Sequence, residues 1–198
     1  LSIVSISLFT YLSSSISTAN QQLAGLHQAK KTSALIQSLQ KHRGISSAVI
    51  SGVHDGANKL ILINEKVNDN FIKVSDGLTS EVNGTEKWST IIEQWAYLNA
   101  KGTNLKAAES FNLHTALIQN INSLQLSLAD YYYLLVMDDL DSYYLTNSFL
   151  FTIPITLELL GQARAVGVSY LVNKDKKSRE EMVSLLSNTI VPLDVFKE

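Results

Sequence analysis

Apolar residues recur along this chain at helical spacing. The first such pattern marks one long helix from about Leu8 to Gly52, and the second marks a helix over Ala57 to Leu78. The apolar positions of these two helices are Leu26, Leu35, Leu39, Val49 and Ile50 in the first and Leu60, Ile63, Val67, Phe71 and Val74 in the second. The steps of three and four residues predict one buried face on each helix, and His54 to Gly56 predicts the turn between them.

The rest of the chain repeats this pattern. Thr85 is a typical N-cap for a short helix, and a longer helix follows from Asn104. The predicted core positions are Trp88, Ile92, Trp95 and Leu98 in the short helix, and Leu113, Leu117, Ile121, Leu124, Leu128, Tyr131 and Leu135 in the longer one.

Two further helices are predicted towards the C-terminus. Asp141 can cap a helix that continues through Leu157 and Leu171, with a kink expected at Pro154. Ser178 to Glu181 forms a capping-box pattern for a last helix, which Pro192 bends or stops.

These patterns predict an all-α protein with about six helices and no sheet. Gly 9 and Pro 2 among 198 residues leave too few turn residues for a β-sandwich or a barrel. Helices of 35 to 45 residues would extend roughly 50 to 65 Å, so we expect an elongated bundle of the four-helix type.

The N-terminal region is apolar and lacks charge. Residues 1–12 are almost entirely apolar, and the first charged side chain is Lys30. We interpret residues 1–12 as the end of a transmembrane helix that continues into a helical domain over residues 13–198, the C-terminal part of which could be missing from this sequence. A buried amphipathic N-terminal helix explains the pattern equally well.

Composition and charge argue against several classes of function. The net charge is −2 without a basic cluster, so nucleic acid is not expected as a partner, and Cys 0 excludes disulfides and thiolate sites. The four histidines, His27, His42, His54 and His114, are far apart in sequence, and no Glu-x-x-His motif is present. Asp138 to Asp141 is typical of a solvated, capping turn rather than a calcium loop. We therefore expect no enzyme, no metal and no cofactor.

Two arginines occupy positions where apolar residues are expected. The stripe Leu35, Leu39 leads to Arg43, and the stripe Leu157, Leu160 leads to Arg164. The spacing places both guanidinium groups towards the bundle interior, where two forked donors suit a small oxyanion held bidentately. Two alternatives remain open: either arginine could reach the rim of the bundle, or it could pair with a distant Asp or Glu.

The sequence around both arginines resembles a known family. Leu39 to Ser47 is similar to the Gln-x-Glu-Arg-Gly signature of the nitrate- and nitrite-sensing helical domain, and Asp141 to Leu145 with Leu160 to Gly167 resembles its later block, as does Phe111 to Ile118. The family occurs in extracytoplasmic parts of chemoreceptors, sensor kinases and diguanylate cyclases. The resemblance implies that Arg43 and Arg164 contact the ligand. The supporting residues expected with them are Gln40, Gly44, Ser47 and Gly167. His42 replaces the usual Glu, and Ala165 replaces a frequent Gly.

The resulting expectation is a sensor region of a bacterial receptor on the extracytoplasmic side of the inner membrane. It would bind a small anion such as nitrate or nitrite, and it would transmit a helix rearrangement across the membrane. The alternative is a helical scaffold that binds no ligand and only dimerises the receptor. We also expect a parallel homodimer, since residues 1–29 and 110–129 carry no Asp, Glu, Lys or Arg. His42 should point away from Arg43 and tolerate alanine.

Overall fold

The structure, a computed structural model, describes residues 2–52, 56–137, 139–174 and 176–194, and these residues are helical throughout, with short connections and no strand. The helices are α1 (Ser2–Ile50), α2 (Gly56–Ser75), α3 (Ser80–Asn83), α4 (Glu86–Lys101), α5 (Ala107–Tyr131), α6 (Leu140–Asn147), α7 (Ile153–Asn173) and α8 (Lys176–Asp194). A 3-10 turn, Gly102–Asn104, follows α4, and a π-helical segment, Ser148–Thr152, joins α6 to α7. The predicted all-α fold is confirmed. Part of the predicted turn at His54 lies outside the described residues.

Helix α1 runs antiparallel to α2. Near the start of their contact, the Gln28 side chain donates to the Val74 carbonyl (2.9 Å), and further along the Asn70 amide donates to Ser38 Oγ (3.1 Å). The contacting residue of α2 lies nearer its N-terminus as the contacting residue of α1 lies nearer its C-terminus, so the two helices are antiparallel.

Helices α4 and α5 are antiparallel in the same way. Lys87 at the start of α4 donates to Ser127 near the end of α5 (2.8 Å), and Asn120 donates to Gln94 further along (2.9 Å). Helix α1 also packs on α5, and α4 packs on α2, where Trp95 Nε1 donates to Asn68 Oδ1 (2.8 Å). The four helices therefore form an up-down-up-down bundle.

The bundle core combines aliphatic and aromatic side chains. Phe71 of α2 stacks on Trp95 of α4 with ring centroids 5.7 Å apart, and Trp88 lies 6.0 Å from the same ring. Thr85 caps α4 through its side chain, as predicted. The buried isoleucine of α4 is Ile91, whereas the predicted Ile92 is exposed. Other buried side chains of this core are Leu35, Leu39, Val67, Leu98, Leu117, Ile118, Ile121, Leu124 and Leu128.

The first third of α1 extends beyond the bundle. Residues 3–17 are all exposed, and the apolar ones among them are Ile3, Val4, Ile6, Leu8, Phe9, Tyr11, Leu12 and Ile16. The helix begins to be buried at Gly25, where an added Cβ would lie 2.4 Å from the Cβ of Tyr132. A glycine is therefore required where α1 enters the bundle.

The chain passes from α6 to α7 through a π-helical segment immediately before Pro154, the position at which a kink is predicted. Pro154 has no N–H for the carbonyl four residues earlier, that of Leu150. The buried amide of Gln125 in α5 donates to this carbonyl instead (2.8 Å). The wider π turn and this contact accommodate the proline, and they attach the start of α7 to the bundle.

Several predicted helix ends differ from those observed. Asp139 rather than Asp141 caps α6, accepting from the Ser142 N–H (2.8 Å), and Asp138 lies outside the described residues. Helix α5 ends at Tyr131, so Leu135 is not in it. Helix α8 begins at Lys176, before the predicted capping box, and continues past Pro192 to Asp194.

Helices α7 and α8 pack against each other beside the bundle. At one close contact between them, an added Cβ on Gly167 would lie 3.1 Å from Met182 Sδ. Among the described residues, the segment Leu140–Gly167 is the one that is long and apolar enough to cross a membrane, and a third of its most apolar 18 residues is buried within the protein.

Candidate functional site

A buried ion pair connects α1 to α7. Arg43 Nη1 and Nη2 donate to the two carboxylate oxygens of Glu158, at 2.5 and 3.1 Å. Arg43 is 4% exposed and Glu158 5% exposed. The bidentate geometry is the strongest arrangement available to a guanidinium and a carboxylate. The sequence prediction that Arg43 projects into the interior is confirmed, and its partner is one of the distant acids that the sequence left open.

Uncharged donors complete the surroundings of this carboxylate. Gln40, one turn before Arg43 on α1, donates to Glu158 Oε2 (2.9 Å), and Gln162, one turn after Glu158 on α7, donates to Oε1 (2.8 Å). The carboxylate thus accepts four hydrogen bonds from two helices. Gln40 lies at the site as expected, whereas no pattern of residues pointed to Gln162.

Helix α5 holds the other side of the arginine. Arg43 Nη1 also donates to Thr115 Oγ1 (2.9 Å), and the guanidinium carbon lies 5.0 Å from the centre of the Phe111 ring. A guanidinium stacked on an aromatic face and bound at its edge has little rotational freedom. The site is therefore a fixed, planar recognition surface formed by three helices.

Arg164 does not join this site as an interior group, because its side chain is exposed. The prediction failed because the apolar stripe used to orient it faces outward: Leu157 is 51% exposed and Leu160 is 43% exposed. The face of α7 that meets α1 carries Glu158 instead. A helix with apolar residues on one face and a satisfied carboxylate on the other misleads any assignment based on hydrophobicity.

The three remaining predicted residues do not contact the ion pair. Gly44 is exposed with open space where a Cβ would be, and Ser47 is half-buried one turn beyond Arg43. Gly167 packs on α8. The glycine that does lie against the site is Gly161, where an added Cβ would be 3.3 Å from Arg43 Nη2.

A second polar cluster lies next to the arginine. His42 Nδ1 and His114 Nε2 are 2.7 Å apart, and His114 Nδ1 lies 2.6 Å from the Ser110 carbonyl. The latter contact requires a proton on His114 Nδ1, so His114 Nε2 accepts and His42 Nδ1 donates. The edge of His42 also meets the Trp95 ring at 5.1 Å. Two histidines that are 72 residues apart in sequence are therefore paired, which no local pattern indicated.

Burial keeps both imidazoles neutral. It lowers the pKa of His42 from 6.5 to about 4, assisted by the neighbouring His114. The pKa of His114 is also lowered to about 4, by burial and by the positive charge of Arg43, against the opposing effect of the Ser110 carbonyl. His42 does point away from Arg43, as expected, but at 4% exposure it is a core residue. The expectation that it tolerates alanine has therefore lost its basis.

In the part of the chain that the structure describes, neither a metal-ligand cluster nor a neighbouring groove extends the site around Arg43. Among the described residues, no three His, Cys, Asp or Glu side chains are grouped so that they could hold a metal ion. A groove between α4 and α5, lined by Glu93, Gln94, Tyr97 and Leu113, includes neither Arg43 nor Glu158. The guanidinium of Arg43 is a bidentate donor for a planar carboxylate, and in this structure Glu158 fills that position. No protein-family model, curated protein sequence or solved structure matches this chain.

Proposed function

We propose that this chain is the ligand-sensing region of a membrane-anchored receptor and that it binds a small planar oxyanion at Arg43. The observation that carries the proposal is the bidentate Arg43–Glu158 pair between α1 and α7. Nitrate, nitrite and small carboxylates present two oxygens in the same plane and at similar spacing to the Glu158 carboxylate. An external anion can therefore replace Glu158 with little change at Arg43.

The surroundings of Arg43 favour exchange of one anion for another. Thr115 and the Phe111 ring hold the guanidinium independently of Glu158, so its orientation survives when the carboxylate leaves. Gln40 belongs to α1 and remains available to donate to an incoming oxygen. The resemblance of Leu39 to Ser47 to the nitrate- and nitrite-sensing signature supports the same choice of ligand.

The exchange would couple binding to helix packing. Glu158 is fixed to α7, so an anion that displaces it removes a contact between α7 and α1. The freed carboxylate must reach solvent, since an unpaired buried charge costs several kcal/mol. The ligand then favours the packing of α7 in which Glu158 is hydrated, and its influence is limited to its difference in affinity between the two packings.

The exposed start of α1 supports the membrane part of the proposal. Apolar side chains cover all sides of this helix over residues 3–12, outside the bundle and without a charged residue. Such a segment suits the boundary of a bilayer. We place the bundle on the extracytoplasmic side of a bacterial inner membrane by the same resemblance.

A ligand-free scaffold is the second candidate function, and one observation favours it. Arg43 already has a full set of protein partners. If the ion pair serves only to fix α7 on α1, external anions will not compete with Glu158, because an intramolecular carboxylate has a high effective concentration.

Calorimetric titration distinguishes the two candidates. We expect wild-type protein to bind at least one of nitrate, nitrite, formate and acetate, and Glu158→Gln to bind it at least tenfold more tightly, because the competing charge is removed while its volume remains. Arg43→Lys should lose most of the affinity, since an ammonium lacks the planar fork. Arg164→Ala, at an exposed site on the same helix as Glu158, serves as the control and should bind like wild type.

Two outcomes contradict the proposal. Equal affinity in wild type and Arg43→Lys would mean that the anion binds elsewhere. Absence of binding in both wild type and Glu158→Gln, with intact helical circular dichroism, would favour the scaffold.

A further inference from the structure

The exposed part of α1 carries a one-sided apolar seam. Leu12, Ile16, Ala19, Leu23 and Leu26 follow one another at steps of four, three, four and three residues. All five are exposed, Ile16 by 62% and Leu23 by 54%. This alternation is the heptad spacing with which two helices pack along a shared supercoil.

The seam faces away from the protein's own bundle. Gln21 and Gln22 donate to carbonyls of Tyr131 and Tyr133 at the end of α5, at 3.0 Å each, and Gly25 packs on Tyr132. At 100° per residue, Gln21 and Gly25 lie about 160° around the helix from Leu23. One face of α1 is therefore bound to the bundle, while the opposite face carries the seam.

The seam also differs from the apolar tip that precedes it. Over residues 3–12 apolar side chains occur on every side of the helix, as a lipid environment requires. Between Ser13 and Leu26, by contrast, the positions outside the seam hold Ser, Thr, Asn and Gln, apart from Ala24 and Gly25. A helix with one apolar stripe and polar remaining faces fits a second helix rather than hydrocarbon.

We propose that the seam from Leu12 to Leu26 binds the same seam of a second copy of this chain, as a parallel, in-register pair of helices. Residues 3–29 contain no Asp, Glu, Lys or Arg, so no charge repulsion arises within the seam itself. The helix is already formed and held at its C-terminal end by the bundle, so association does not pay for helix nucleation. This surface is independent of anion binding at Arg43.

The ends of the seam favour the parallel orientation. An antiparallel pair centred on Ala19 would place Leu8 of the apolar tip opposite Lys30, the first charged residue of the chain. The parallel pair instead places the apolar tips of the two copies side by side. Each Lys30 then lies at the end of the seam, where its long side chain reaches water. The uncharged run over residues 110–129, which the sequence also offered as a dimer surface, contributes the bundle's own core through Leu117, Ile121 and Leu124.

Sedimentation velocity of the whole chain over a wide concentration range tests the contact. We expect a concentration-dependent dimer for wild type and at least tenfold weaker association for the double variant Ile16→Glu with Leu23→Glu. The matched control is Ser14→Glu with Ser17→Glu, which adds the same charge at exposed positions off the seam. All three proteins keep the apolar tip, so its contribution is common to them.

Orientation is tested by disulfide cross-linking, because the chain has no cysteine of its own. Oxidised Ile16→Cys should form a covalent dimer, whereas Ser14→Cys should not; an antiparallel pair would leave two copies of residue 16 too far apart to bond. A wild-type monomer at all concentrations, or equal behaviour of the two glutamate doubles, would overturn the proposal. So would a seam double that changes only binding to lipid vesicles, since the seam would then be a membrane-contacting face.

Discussion

The bundle of α1, α2, α4 and α5 and the arm formed by α6, α7 and α8 are held by different kinds of contact. The bundle buries a continuous set of aliphatic and aromatic side chains between its four helices. The arm attaches to that bundle through Leu150, which is buried in the same core, and through polar contacts, among them those of Gln125 with Leu150 and of Arg43 with Glu158. Beyond Leu150, several of its large apolar side chains, among them Phe149 and Leu157, remain about half exposed.

This difference separates a rigid region from one that can respond to ligands. The stabilisation from apolar burial depends on the apolar area removed from water, so it does not respond to small anions or to the protonation of one group. A bidentate ion pair depends on both charges being present, and it is open to competition by another anion. We therefore expect the arm to change its packing under conditions that leave the bundle intact.

The largest effect should come from the bundle core. Trp88→Ala removes a side chain that is 1% exposed and should lower the free energy of unfolding by about 4 kcal/mol. Leu157→Ala, on the exposed face of the arm, should lower it by less than about 0.5 kcal/mol. Urea denaturation followed by circular dichroism measures both. Similar losses in the two variants would mean that the regions are not held differently.

Removing one partner of the ion pair should have the next largest effect. Glu158→Ala leaves the Arg43 guanidinium buried without its anion and should cost about 3 kcal/mol. The double variant Arg43→Met with Glu158→Leu, which removes both charges, should regain most of that loss. The same denaturation curves report it, and a double variant no more stable than Glu158→Ala would show that the unpaired charge is not the cause.

The buried histidines should make the free energy of unfolding of the bundle depend on pH. The pKa values of His42 and His114 are about 4 in the folded protein, below the ordinary value of 6.5. Between pH 4 and pH 6.5 the unfolded chain therefore binds more protons than the folded protein. Their stabilisation is complete above pH 6.5 and declines as the pH falls towards 4, by about 2 kcal/mol at pH 5 for each imidazole that titrates. The slope of unfolding free energy between pH 6.5 and 4 should be smaller in His42→Gln with His114→Gln than in wild type. An unchanged slope would contradict the assignment.

The smallest effect should be that of Arg164→Ala. Its guanidinium is exposed, so the substitution should change the free energy of unfolding by less than about 0.5 kcal/mol. Arg43→Ala is its counterpart at a buried site, and it should destabilise strongly because it leaves the Glu158 carboxylate unpaired. A loss of several kcal/mol in Arg164→Ala, measured in the same urea series, would place this arginine in an essential contact.

The sequence was sufficient for the elements and for half of the site. Apolar steps of three and four residues predicted the helices, and Thr85 was predicted as the cap of α4. The apolar stripe through Leu39 predicted that Arg43 lies in the interior. Periodicity identifies a stripe but not the neighbour that covers it, which is why Arg164 was assigned to the wrong face. Pairing between distant positions, as in Arg43 with Glu158, depends on the order in which helices pack and carries no local signal.

Hydrogen exchange of the arm in the presence of an anion tests the central claim most directly. With the best-binding anion at a saturating concentration, amides of α7 should exchange at least tenfold faster in wild type, while those of α5 stay protected. The response should be absent in Arg43→Lys, which keeps the charge but loses the planar fork. Unchanged exchange of α7 at saturation, or the same response in Arg43→Lys, would contradict the account that an anion replaces Glu158 and loosens α7.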